Sequence, residues 1–195
     1  MTVLTLPVVT TQPQPPGGGL LLRRALREIG ATTDVLEALR QRPNLATIAV
    51  RVCEYFTHVL PARGGVCSLN ARCLQSASIE ILDAVDKRQD DAIAYRRFIH
   101  ALLRDTGDVL YWYVFVRTNG KRNVWDPAVE PLSHFWRRHG RQPVMERRGE
   151  PWDTIAVHDF RAMLAVRILD REDFTRLDGG LRAILDLPLC ADAGR

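Results

Sequence analysis

The segment from Val109 to Val116 reads VLYWYVFV, a β-favouring run with no polar alternation, and Asn119-Gly120 follows it closely. A run of that kind suits a strand buried on both faces, and Asn-Gly is the strongest short signal for a two-residue hairpin. The hairpin fixes a register in which Thr118 faces Lys121, Val114 faces Trp125 and Tyr113 faces Asp126. Asp126 then shares a sheet face with Tyr111, Tyr113 and Phe115. Elsewhere the apolar residues recur at helical spacing. The expected fold is therefore α+β: helices first, a small antiparallel sheet with an Asn-Gly hairpin in the middle, and helices again.

The helical part begins after residues 1–19, which end in QPQPPGGG and read as an extended or disordered leader. Residues 20–190 are expected to form one domain. LLLRRALREI makes a first helix closed by Gly30, and Asp34 with Glu37 resembles a capping box for a second. Asn44 can cap a third, which carries Leu45, Ile48, Val52 and Phe56 until Pro61 ends it. Cys67, Ala71, Leu74, Ile81 and Val85 keep one face of the next helix apolar, with Cys67 at its start. Tyr95, Phe98, Ile99 and Leu102 do the same for the helix after it. Beyond the hairpin come a short LSHFWRR helix, a basic loop to Gly149 and a long helix with Pro151 at its first position. A last helical segment is broken at Gly179-Gly180.

At 195 residues and 46% hydrophobic, such a chain buries one substantial core. Its net charge of +4 rests on arginine, since Lys87 and Lys121 are the only lysines among 27 basic residues. With 23 acidic residues interspersed, a solvated, salt-bridged surface is the favoured reading of that charge. Four cysteines without regular spacing do not make a disulfide framework and read as reduced thiols. The leader lacks the basic start of a signal peptide, and no apolar stretch reaches the length of a membrane span. A cytoplasmic protein, not bound to membranes, is the expectation.

The stretch from Ala62 to Cys73, ARGGVCSLNARC, carries the chemistry. A helix start offers unpaired amide donors and a positive dipole end, which favour thiolate over thiol. Gly64 and Gly65, one residue ahead of Cys67, let another chain approach the sulfur. RGGVCSLNARCL followed by YVFVRTNGKRNVWDP resembles the transglutaminase-like branch of the papain-like cysteine enzymes. The cysteine box is also similar to that of arylamine N-acetyltransferases. The resemblance covers roughly residues 45–130 and implies a nucleophile at Cys67, an orienting acid at Asp126 before Pro127, and no cofactor. A backbone amide at the helix start would serve as oxyanion donor.

The chain departs from that pattern at the histidine. Where the family's first strand begins with His-Ala-Trp or a similar run, this chain has Tyr111, Trp112 and Tyr113. A phenol of pKa about 10 is a poor general base at neutral pH. Five histidines remain as replacements: His58, His100, His134, His139 and His158, of which His134, just after DPAVEP, is the favoured candidate. The leading expectation is cysteine-dependent acyl transfer or amide hydrolysis on a protein or peptide substrate. The alternative is a catalytically inactive binding module of the same fold, in which Tyr111, Trp112 and Tyr113 fill the vacated site.

Two rival constellations complete the reading. Cys53, His58, Cys67 and Cys73 are close in sequence, but Cys53 and His58 lie about 140° apart around a helix, a poor arrangement for zinc, and no metal site is expected. The segment FWRRHGRQPVMERR sets Arg137, Arg138 and Arg141 beside Phe135 and Trp136. Basic residues among aromatics can hold phosphates and stack bases, so nucleic-acid or anion binding by residues 137–148 is a third, weaker expectation.

Overall fold

A computed structural model describes residues 17–62, 67–148 and 157–177, and side chains of 157–159 are outside that description. Three helices open the fold: α1 (Gly18–Glu28), α2 (Thr33–Gln41) and α3 (Pro43–Phe56). They are followed by α4 (Leu69–Asp86) and α5 (Asp91–Arg104). A 3₁₀ segment (Asp105–Tyr111) leads into strands β1 (Trp112–Thr118) and β2 (Lys121–Val124). Helix α6 (Leu132–His139), strand β3 (Val144–Arg147), and helices α7 (Val157–Ile168) and α8 (Arg171–Arg176) complete the described chain. The α+β class expected from the change of apolar period is the class observed.

Helix α4 lies in the middle of the core. Leu69, Ala71, Cys73, Leu74, Ala77 and Ile81 are all buried, and they follow the three-and-four spacing that sets one apolar face. Against this face pack Phe98, Ile99 and Leu102 of α5 and the apolar stripes of α1 to α3. Local residues set where several helices end or begin. Gly30 takes a φ of 62° just past α1, where a glycine meets little strain. Ser68 accepts the Ala71 N–H at the start of α4, and Asp90 accepts the Ile93 N–H at the start of α5.

The sheet runs in the order β2-β1-β3, so the apolar strand β1 is central and both neighbours are antiparallel to it. The hairpin register is the one expected: Thr118 faces Lys121, Phe115 faces Val124, and the Trp125 N–H bonds the Val114 carbonyl at 2.8 Å. Val114 and Val116 turn to the helices, while Tyr113 and Phe115 form the outer face with ring centroids 5.4 Å apart.

Several expectations shift. The strand starts at Trp112 rather than Val109, because Val109 and Leu110 are buried in the closing 3₁₀ turn. The basic loop is not all loop: Val144–Arg147 pairs with β1 as β3, with Met145 facing Val114. Pro43, not Asn44, opens α3, consistent with proline's suitability for the first turn. That helix ends at Phe56 rather than at Pro61, where Thr57 adopts a φ of 57°. No side chain caps α2; Glu37 instead binds Arg40 and Gln41. The first helix begins at Gly18, inside the segment assigned to the leader. The glycines Gly64 and Gly65, the helix start at Pro151, the break at Gly179-Gly180 and Cys190 lie outside the described residues.

Candidate functional site

Cys67 stands one residue before the N-cap of α4, not in its first turn, because Ser68 provides the cap. The chain on either side is clamped to itself. Pro61 and Ser68 form an isolated antiparallel bridge, the Ala62 N–H donates to the Cys67 carbonyl at 2.9 Å, and the Leu69 N–H donates to the Leu60 carbonyl at 2.8 Å. The thiol is left half-buried on a cavity of about 510 Å³ lined by Arg24, Arg27 and Glu28 of α1 together with His58, Val59, Pro61 and Ser68.

The electrostatics at this helix start run against a thiolate. Glu28 has already taken the position an anion would seek: its carboxylate accepts the Ser68 N–H at 2.6 Å and the Ser68 hydroxyl at 2.7 Å. The next amides are also committed, Leu69 to Leu60 and Ala71 to the Ser68 hydroxyl. Burial pushes the Cys67 thiol up from its ordinary range, and the Glu28 charge pushes it further, with Arg72 opposing. This corrects the expectation of a thiol made acidic by the helix terminus.

Of the five histidines, His58 shares the Cys67 cavity. Thr57, whose positive φ ends α3, places it there; a β-branched residue in that region is strained. Burial lowers the His58 imidazole below its ordinary value and Arg24 lowers it further, while Glu28 acts in the opposite sense. Its Nδ1 is buried without a hydrogen-bond partner among the described residues. His134 is not on this cavity: it is exposed on α6 and lines a separate cleft with Arg51, Tyr55 and Arg137. The His158 side chain lies outside the described residues.

Asp126 shapes a turn. Its Oδ1 accepts the Ala128 N–H at 2.8 Å, and its carbonyl accepts the Val129 N–H at 3.1 Å. Tyr55 of α3 pins this turn by donating its hydroxyl to the Pro127 carbonyl at 2.7 Å. Burial raises the Tyr55 hydroxyl to about 12, against the pull of Arg167. Asp126 does not line the Cys67 cavity, so the cysteine, acid and histidine chosen from sequence are not brought together.

The aromatic and basic candidates are spread over the sheet and its flanks. Tyr111 closes the 3₁₀ segment, its carbonyl accepting the Arg148 N–H at 2.8 Å. Trp112 packs against the core, and Tyr113 lies beneath the Arg148 guanidinium at 4.9 Å. Arg138 pairs with Glu130, and Arg141 donates to the Arg117 carbonyl at 3.2 Å. Arg137 donates to the Ser133 carbonyl within α6. The 137–148 segment therefore divides between α6, a link and β3, and does not form one basic loop.

Cys53 and Cys73 are buried core thiols, and burial raises Cys53 to about 12. Among the described residues no three His, Cys, Asp or Glu side chains gather as metal ligands. Sequence reasoning missed Glu28, Arg24 and Ser68 as neighbours of Cys67. Glu28 is 39 positions upstream on another helix and carries no local signal. No helix among the described residues is long and apolar enough to cross a membrane. Comparison with protein-family models, curated proteins and solved structures finds no match to this chain.

Proposed function

We propose that the protein is a binding module on a transglutaminase-like core, without cysteine catalysis, and that it takes a peptide or protein segment in the cavity beside Cys67. One observation carries this reading: the Glu28 carboxylate occupies the amide end of α4, where a reactive thiolate would need unspent donors. The positions of Asp126 and His134 away from that cavity support it. The cavity is wide and carries both Arg24 and Arg27 on one wall, which suits an extended segment with acidic side chains.

A second reading is favoured by His58. A neutral imidazole on the same cavity as a neutral thiol is the pair from which general-base attack begins. The imidazole would take the Sγ proton as sulfur bonds the acyl carbon, then return it to the leaving amine as the C–N bond breaks. Water would hydrolyse the resulting thioester and restore the thiol.

Alkylation of Cys67 separates the two. In a Cys190→Ser protein the other thiols, Cys53 and Cys73, are buried, so iodoacetamide addition followed by mass spectrometry against pH reads Cys67 alone. The binding reading expects a midpoint above the ordinary thiol value of about 8.5, with no acetyl adduct from p-nitrophenyl acetate at neutral pH. An acetyl adduct on Cys67 at neutral pH that His58→Gln abolishes would establish the enzyme instead, whatever the midpoint. Peptides selected for binding to the folded chain are expected to slow the alkylation. Binders that leave it unchanged would place the binding face elsewhere.

A further inference from the structure

The second cleft, of about 230 Å³, lies between α3, α6 and α7 and is lined by Arg51, Glu54, Ser133, His134, Arg137 and Arg167. Its three guanidinium groups are not equivalent. Arg51 is neutralised by Asp170 and Asp173, each at 2.8 Å. Arg137 donates only its Nε to the Ser133 carbonyl, and Arg167 donates one nitrogen to the Val129 carbonyl at 2.9 Å. Neither meets a carboxylate among the described residues. Two cations thus face one small cleft with most of their donors uncommitted, and a guanidinium fork matches a carboxylate or phosphate edge.

Ser133 adds a neutral donor to the cleft. The residue lines the same cleft as the two guanidinium groups and is only 7% exposed. A serine hydroxyl can donate to a ligand oxygen held between the two cations. Glu54 adds selectivity: one of its oxygens accepts the Gly18 N–H at 3.1 Å, and its charge on the same wall suits a ligand that carries a donor as well as an oxyanion.

We propose that this cleft binds a small oxyanion ligand, a carboxylate or phosphate group on a molecule of about amino-acid size. Arg137 and Arg167 hold the anion, Ser133 hydrogen-bonds it, and His134 flanks it. The site uses no residue of the Cys67 cavity, so it stands or falls separately from the reading above.

The test is titration of the full chain with acetate, glycine and inorganic phosphate, following the His134 ring resonances by NMR, assigned with His134→Gln. A saturable shift with at least one probe is expected. Phosphate against acetate tells which oxyanion is preferred, and glycine against acetate tells whether Glu54 recruits an ammonium. The double variant Arg137→Gln/Arg167→Gln is expected to weaken binding by about tenfold or more. Ser133→Ala should weaken it by less than the double variant does. No saturable shift with any of the three, or equal affinity in the double variant, overturns the proposal.

Discussion

Asn70 shows how a single side chain joins two helix ends. Its Nδ2 donates to the Cys53 carbonyl at 3.2 Å and the Thr57 carbonyl at 2.9 Å, both at the end of α3, from the first turn of α4. The Cys53 carbonyl also accepts the Thr57 N–H at 2.9 Å, whereas the Thr57 carbonyl lies past the helix end, where burial denies it water. Asn70→Ala is expected to cost about 1–3 kcal/mol, the scale of leaving one buried acceptor, the Thr57 carbonyl, unpaired. Urea unfolding would measure it, and a loss below a few tenths of a kcal/mol would mean the Thr57 carbonyl finds water. The same bond keeps Thr57, and with it His58, at the mouth of the Cys67 cavity. Sequence could name His58 as one of five histidines; choosing it over His134 required this tertiary link.

At the scale of elements, α8 depends on its cap more than on its length. Asp170 accepts the Asp173 N–H at 2.9 Å, Asp173 returns the bond to the Asp170 N–H at 3.0 Å, and Arg51 of α3 reaches both carboxylates. The Tyr95 hydroxyl donates to Asp173 from α5 at 2.9 Å, so a six-residue helix is fastened to two others. Asp170→Ala is expected to lower stability by about 0.5–2 kcal/mol, the usual value of an N-cap. Asp170→Asn, which keeps an acceptor while removing the charge, should cost less. Equal losses would assign the effect to the Arg51 ion pair instead. Neither box residue stands out in DREDFTR, since short acidic residues at a loop are common; the second strand partner of β1 was hidden for a similar reason. VMER has one apolar residue facing the core, Met145, and charged neighbours, so its strand character comes from pairing with β1 rather than from its own pattern.

For the whole molecule, α4 is the element around which the rest is arranged. Ile81 is fully buried in it, among the apolar groups of the central core. Ile81→Ala is expected to destabilise by about 2–5 kcal/mol, the lost transfer energy plus the residual cavity. Because one continuous core joins α1 to α8 and the sheet, the loss should appear as a single cooperative shift seen alike by far-UV circular dichroism and tryptophan fluorescence. Trp125 is a suitable reporter, being 2% exposed with its Nε1 donating to the Glu130 carbonyl. Transitions that separate by probe would show that the sheet region unfolds apart from the helices.

The sequence by itself determined the α+β class, the helices α1 to α5, and the hairpin with its register. These rest on short-range physics: apolar period, glycine at a positive φ, and the side-chain alternation of a strand. It also singled out Cys67 as a residue at a helix entrance. Only the tertiary structure decided what surrounds that entrance. Glu28 from α1 claims the amides of α4, His58 enters by way of the strained Thr57, and Asp126 and His134 are held elsewhere by α3 and α6. The environment of a thiol is set by charges and burial contributed from distant parts of the chain, and no spacing within ARGGVCSLNARC encodes them.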